Sequence, residues 1–73
     1  MSTDLDVLQI GAEGFGDQVL YHSDIERTKP SVIFLEYKRM PQDRVERLRS
    51  YLEKSYVVNL IRGDLLAVRL PGV

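Results

Sequence analysis

The chain has 73 residues, with 44% hydrophobic and 29% charged residues, no Cys, a single His and a net charge of −1. This length allows at most one small domain, spanning residues 1–73, and the average composition argues against wholesale disorder. The lack of Cys excludes disulfides, thiolate catalysis and Cys-ligated zinc, and one His leaves no multi-His metal site. We therefore expect no metal and no cofactor.

No stretch of the sequence has the length of a membrane span. The longest unbroken apolar runs, at positions 32–35 and 65–68, are far shorter than the ~20 residues that cross a bilayer. The first residues also lack the basic and apolar regions of a signal peptide. We expect a cytoplasmic protein that does not contact membranes.

The first part of the chain predicts short elements. Residues 1–6 predict a polar, flexible N-terminal end, and Val7-Leu8-Gln9-Ile10 predicts a short strand. Three glycines in residues 11–16 predict a mobile turn. Residues 17–22 alternate weakly and predict a second strand, and residues 23–30 predict a loop or a single helical turn.

The middle of the chain contains the strongest signals. Residues 31–38 predict a strand that is apolar on both faces, which is typical of a central strand covered on both sides. Residues 41–54 predict a helix, with Pro41 at its first position and one apolar face. The apolar face consists of Val45, Leu48 and Leu52.

Residues 56–61 and 65–70 predict a hairpin around Arg62-Gly63-Asp64. The fold class is then α+β, with a small antiparallel or mixed sheet and one helix packed on one face. Because one helix covers only one face, the other face needs a cover. The N-terminal segment, a second copy of the chain or a different protein could supply it.

The charges are segregated along the chain. Residues 1–26 contain six acids and no base, whereas residues 27–73 contain all ten bases and five acids. Two interpretations remain open: the acidic segment folds onto the basic part, or the two parts present opposite charges to a partner.

Three catalytic or ligand-binding patterns have simpler explanations. The glycine-rich turn is flanked by Glu13 and Asp17, which would repel a phosphate, and no helix is predicted after it. The neighbours His22-Ser23-Asp24 would point alternately in a strand and cannot form a hydrolase triad. The acids of residues 1–26 do not follow a calcium-loop pattern. We therefore predict that the protein is not an enzyme.

The basic residues of the predicted helix raise the alternative of a small nucleic-acid-binding domain. They are spread around the helix and interleaved with acids, which is more typical of a solvated surface, and they could also meet an acidic protein surface. The bases in question are Arg44, Arg47, Arg49 and Lys54.

The acidic opening Met1-Ser2-Thr3-Asp4-Leu5-Asp6, the strand at 31–38 and the helix at 41–54 with its hairpin resemble a small class of phage proteins. These are phage-encoded transcription regulators that bind host RNA polymerase, as in a Xanthomonas phage. The resemblance implies binding to host RNA polymerase in the host cytoplasm, inhibition of initiation through interference with sigma factor, and altered termination, including antitermination. It assigns no individual contact residue.

Our leading hypothesis is a non-catalytic regulator that binds a large host protein complex, with residues 1–26 as a docking arm. A structural homodimer is a further alternative, and we expect a monomer or a weak dimer. The candidate partner-binding residues are the apolar Leu5, Val7 and Phe15, the acidic Asp4 and Asp6, which would set orientation, and the basic Arg44 and Arg47.

Overall fold

The structure, a computed structural model, describes residues 7–11 and 13–72. This part of the chain forms a four-stranded mixed sheet and three helices, so the predicted α+β class is confirmed. The elements are β1 (Val7–Ile10), α1 (Gly16–Tyr21), α2 (Ile25–Thr28), β2 (Val32–Glu36), α3 (Gln42–Leu52), β3 (Tyr56–Ile61) and β4 (Asp64–Arg69).

The sheet has the strand order β1-β2-β4-β3. β1 runs parallel to β2, and β4 is antiparallel to both of its neighbours, β2 and β3. Parallel neighbours need a crossover connection, which α1 and α2 supply between β1 and β2. α3 leads from β2 to β3, and the hairpin then returns β4 to the gap between them.

The core lies between the helices and one face of the sheet. Side chains of β2 and β4 at alternating positions point into it, as the twofold period of a strand requires. The buried apolar residues are Ile10, Leu20, Ile25, Ile33, Leu35, Met40, Val45, Leu48, Leu52, Tyr56, Leu65 and Ala67.

α3 is the longest of these helices, with 11 residues, and its predicted apolar face is buried as expected. Pro41 is the N-cap rather than the first helical residue. Its backbone is extended (φ −60°, ψ 147°), and its carbonyl accepts the N–H groups of Arg44 and Val45. The helix ends at Leu52, two residues earlier than predicted.

The strand predicted over residues 17–22 is wrong, because these residues form most of α1. Asp17 and Leu20 are both buried, three positions apart, which matches a helical rather than a twofold period. At the start of α1, a side chain on Gly16 would come within 3.0–3.2 Å of the Leu35 side chain. The glycine therefore lets α1 pack closely on β2. α2 agrees with the single helical turn predicted for residues 23–30.

A two-residue turn joins β3 to β4. Arg62 (φ 50°) and Gly63 (φ 90°) both have left-handed backbones, as a type I′ hairpin turn requires. The hairpin is thus confirmed, with β4 beginning one residue earlier than predicted. Among residues 7–11 and 13–72, no helix is long and apolar enough to cross a membrane.

Candidate functional site

The face of the sheet that points away from the helices carries an apolar surface, which we call the open sheet face. No helix of the described chain packs on it, and several of its aliphatic side chains are 44–58% exposed. By strand alternation and register, its members are Val7, Gln9, Val32, Phe34, Glu36, Val57, Asn59, Ile61, Asp64, Leu66 and Val68.

One row of the open sheet face consists entirely of valine. Val7, Val32, Val68 and Val57 lie side by side across the four strands, in the order β1, β2, β4, β3. Val32 is half-buried, and the other three are exposed. Contiguous apolar surface of this kind is typical of a protein interaction site.

The next row is apolar in its centre and polar at its edges. Phe34 and Leu66 are paired on the two inner strands and half-buried, and the outer strands contribute Gln9 and Asn59, whose side chains are exposed. The two amides place hydrogen-bonding groups at both edges of an apolar band. An apolar centre with a polar rim is also the general anatomy of protein interfaces.

The end of the open sheet face near the hairpin turn is acidic. Glu36 lies opposite Asp64 across β2 and β4. Lys38 Nζ is 3.7 Å from Glu36 Oε2 in an exposed pair, whereas Asp64 forms no ion pair with any described residue. Opposed carboxylates repel each other, so this end favours a cation supplied by a partner.

The structure does not place all candidate contacts in one region. Asp4, Leu5 and Asp6 lie outside the described residues. Val7 belongs to the open sheet face and is 58% exposed. Its strand, β1, extends the sheet beside β2 instead of lying across the face, so the leading strand enlarges the apolar surface rather than sealing it.

Phe15 is 64% exposed and directly precedes α1. The following residue, Gly16, packs on Leu35 of the covered face. Phe15 therefore belongs to the helical layer, whereas Val7 belongs to the opposite face of the sheet.

Arg44 is engaged within the chain. Its Nε donates to Asp17 Oδ2 at 2.8 Å, and its Nη2 donates to Asp17 Oδ1 at 2.5 Å and to the Gly14 carbonyl at 2.9 Å. The Asp17 side chain is 3% exposed. The hydrogen bonds from Arg44 lower the pKa of the Asp17 carboxyl, although burial opposes this. Part of the charge segregation is thus compensated inside the fold.

The other bases of α3 mostly face acids of the same helix. The exposed Arg47 lies 3.5 Å from Asp43, and Arg49 lies 2.9 Å from Glu46. These pairs fit the prediction of a solvated helix surface and leave few bases for a phosphate-binding stripe.

A helix does follow the glycine-rich turn, contrary to the prediction, but its geometry does not suit a phosphate. Asp17 is buried at the start of α1, and its Oδ1 accepts the Gln18 N–H at 2.9 Å. The carboxylate therefore takes the place that an anion would need.

His22, Ser23 and Asp24 form no hydrogen bonds with one another in the described chain. His22 Nδ1 and Ser23 Oγ contact the backbone carbonyls of α1, at 2.8 and 2.7 Å. Asp24 instead pairs with Arg27. The described residues also contain no group of three or more His, Asp or Glu side chains placed to hold a metal ion.

The sequence predicted that the sheet has a surplus apolar face but did not identify most of its members. Apart from Val7, the exposed residues Val57, Ile61 and Val68 were not singled out. Their signal is that residues 56–61 and 65–70, like 31–38, are apolar at both odd and even positions. Comparisons of the chain with family models, with curated proteins and with solved structures found no match.

Proposed function

We propose that the protein is a non-catalytic protein-binding regulator whose open sheet face docks on an apolar surface of a larger protein. The observation that carries the proposal is the uncovered valine row beside Phe34 and Leu66. Removing such apolar surface from water is the main driving force of protein association.

The chemistry of this face favours protein over nucleic acid. Its charged members are Glu36 and Asp64, which repel phosphate, and the nearby Lys38 is paired with Glu36. A nucleic-acid-binding surface needs cations along one face. α3 supplies few free cations for phosphate either, since its Arg44 is bound to Asp17.

The size of the face favours a larger partner over a second copy. Four strands ~4.8 Å apart and about 13–20 Å long give a flat footprint of roughly 300–400 Å². Standard interfaces bury about 800 Å² on each side. A larger protein can extend the contact past the sheet edges, whereas a second copy stacked face to face would be limited to the footprint itself.

Charge complementarity supports the same choice. Asp64 lacks an ion-pair partner among the described residues, and a base on the partner would supply one. In a face-to-face dimer the twofold axis lies between the two sheets, so the acidic end of one copy would lie over either the acidic end or the valine row of the other. That row contains no base.

Host RNA polymerase, the partner that the resemblance implies, is the partner we propose. Binding there would inhibit initiation and alter termination by occupying a surface that sigma factor or the elongation machinery uses. Such an effect requires no catalytic group on the small protein.

The test is direct binding of the purified protein to host RNA polymerase, measured by biolayer interferometry with the wild type and two variants. Val57 and Val68 are neighbours across β3 and β4, and both are exposed. The Val57→Lys/Val68→Lys variant should bind at least about tenfold more weakly, because two charges would be desolvated. Val19→Lys, a matched change at an exposed position of α1, should bind like the wild type.

The remaining outcomes separate the alternatives. No binding to the polymerase would eliminate this partner, and unchanged binding of the double variant would eliminate the face. If the protein shifts the electrophoretic mobility of DNA or RNA at low salt, and this shift disappears as the salt concentration rises, the nucleic-acid alternative is favoured. A wild-type dimer that becomes a monomer in the double variant would favour the homodimer.

A further inference from the structure

A cavity of about 260 Å³ lies on the helical side of the protein, away from the open sheet face. It is bounded by α2, the end of α3 and the adjoining ends of β3 and β4. Ile25, Leu52 and Tyr56 form buried apolar walls, and the half-buried Tyr51 lies beside them. The cavity thus combines an apolar interior with access from solvent.

Three basic residues line this cavity. Five of the ten bases form ion pairs with described acids. The other five form none with the described residues, and three of these five, Lys29, Lys54 and Arg69, line the cavity. Glu26 is the one acid among its lining residues and lies outside ion-pair distance of all three.

The backbone at Lys29 fixes the position of this residue at the end of α2. Lys29 has a left-handed conformation (φ 48°, ψ 59°) and caps the end of α2, with its N–H donating to the Ile25 carbonyl at 2.8 Å. Residues other than glycine and asparagine seldom adopt this conformation. Lys29 is thereby placed among the residues that line the cavity.

We propose that this cavity binds a small amphipathic anion, a compact aromatic or apolar body that carries one phosphate or carboxylate group. The body would pack on Ile25, Leu52 and Tyr56, and the anionic group would lie among the three cations. Charge-assisted hydrogen bonds from such cations are stronger than neutral ones. Glu26 would disfavour a second anionic group on its own side.

The dimensions limit the class of ligand. A cavity of about 150 Å³ holds one benzene ring, and typical sites for drug-sized ligands begin near 300 Å³. The observed 260 Å³ therefore fits one ring with one anionic group and is too small for a nucleoside triphosphate. The Tyr56 hydroxyl donates to the Pro30 carbonyl at 2.6 Å, which holds this wall in place without the ligand.

The test is an NMR titration of the full ¹⁵N-labelled chain with phenyl phosphate. Inorganic phosphate and phenol serve as probes of the two halves, and benzoate distinguishes a carboxylate from a phosphate group. We expect shifts confined to residues around the cavity, and binding of phenyl phosphate about tenfold or more tighter than of either half. Tighter binding of benzoate than of phenyl phosphate would assign the site to carboxylates within the proposed class.

Charge-removing variants give the matched control. Lys54→Gln should raise the Kd for phenyl phosphate about fivefold, since one charge-assisted contact is lost. Arg39→Gln removes a base outside the cavity that likewise forms no ion pair with the described residues, and it should leave the Kd unchanged. Thermal unfolding would confirm that both variants fold.

Three results would overturn the proposal. These are no shifts at ~10 mM phenyl phosphate, equal perturbation of the same residues by inorganic phosphate alone, or equal weakening by Arg39→Gln. The proposal is independent of polymerase binding, because the cavity and the open sheet face lie on opposite sides of the sheet. Lys54→Gln should therefore bind the polymerase like the wild type.

Discussion

Arg44 and Asp17, 27 positions apart in the chain, form a two-point ion pair that joins α3 to α1. The same guanidinium also binds the Gly14 carbonyl, so that one side chain fixes the glycine-rich turn, the first helix and the third. Among the described residues, Arg44 is the one base that forms an ion pair with this buried carboxylate, and the pair is therefore a structural contact between the acidic and basic parts of the chain.

Asp17→Asn should destabilise the protein. The amide would present an N–H₂ group to Arg44 in place of one acceptor oxygen, which leaves buried hydrogen-bonding groups unsatisfied. We expect a loss of about 2 kcal/mol in the free energy of unfolding, measured by urea denaturation. Asp43→Asn, which breaks only the exposed 3.5 Å pair with Arg47, is the control and should cause no measurable change. Equal effects of both changes would contradict the structural role of Asp17.

The same pair predicts a dependence of stability on acid pH. Since the folded-state pKa of Asp17 lies below its ordinary value of 3.8, the folded protein holds the ionised form more strongly than the unfolded chain does. The resulting stability is present above pH 3.8 and is lost as the pH falls from there through the folded-state pKa. In urea denaturation at a series of pH values, the difference in the free energy of unfolding between the wild type and Asp17→Asn should shrink as the pH falls through this range. A constant difference between the two proteins down to pH 2 would contradict the assignment.

Tyr56→Phe should also destabilise the protein. The buried hydroxyl donates to the Pro30 carbonyl at 2.6 Å, and its removal leaves that carbonyl unsatisfied. We expect a loss of about 1–2 kcal/mol. Tyr37→Phe is the control, because the Tyr37 hydroxyl makes no hydrogen bond with the described residues.

Burial raises the pKa of Tyr56, so its neutral form is favoured by folding and this stability is lost above pH 10. As the pH rises above 10, the free energy of unfolding should therefore fall less steeply for Tyr56→Phe than for the wild type.

The parts of the fold that could be predicted from the sequence are those with local signals. The spacing of Val45, Leu48 and Leu52 gave the buried face of α3, and Gly63 gave the turn between β3 and β4. α1 was missed because it has only six residues, fewer than two turns, and the alternation of Val19 and Tyr21 imitates a strand. A helical crossover between β1 and β2 is needed because these strands pair in parallel. No local sequence pattern shows which strands pair or in which direction.

The candidate site could be predicted only as a surplus of apolar surface. Strands that are apolar at both odd and even positions indicate two apolar faces, but strand order and register decide which residues lie side by side. The row of Val7, Val32, Val68 and Val57 depends on the position of β4 between β2 and β3. The ion pair between Arg44 and Asp17 could not be predicted either, since it joins residues that are distant in sequence.

The hairpin turn offers two changes with opposite expected signs. Gly63→Ala places a methyl group on a backbone with φ 90°, where it would also meet the Lys38 side chain, and should lower stability by about 1 kcal/mol or more. Arg62 has φ 50°, a conformation that asparagine tolerates better, so Arg62→Asn should raise stability by a few tenths of a kcal/mol. Thermal unfolding measures both. A loss of stability in Arg62→Asn would indicate that the arginine side chain contributes to the turn.

Two neighbouring leucines on β4 test whether the open sheet face is uncovered in solution. Leu65 is fully buried in the core, whereas Leu66 is half-buried on the open sheet face. Leu65→Ala should cost about 2–5 kcal/mol, because it leaves a cavity in a packed core. Leu66→Ala removes the same atoms from a partly exposed surface and leaves no closed cavity, so it should cost less, about 1–2 kcal/mol.

The comparison is informative because the two residues share a strand and an identical side chain, and they differ only in the face they occupy. Urea denaturation at low and high protein concentration gives both values. If Leu66→Ala costs as much as Leu65→Ala, and only at high concentration, a second copy covers the open sheet face. If the small cost of Leu66→Ala is the same at every concentration, the isolated chain leaves the face open, as docking on a larger partner requires.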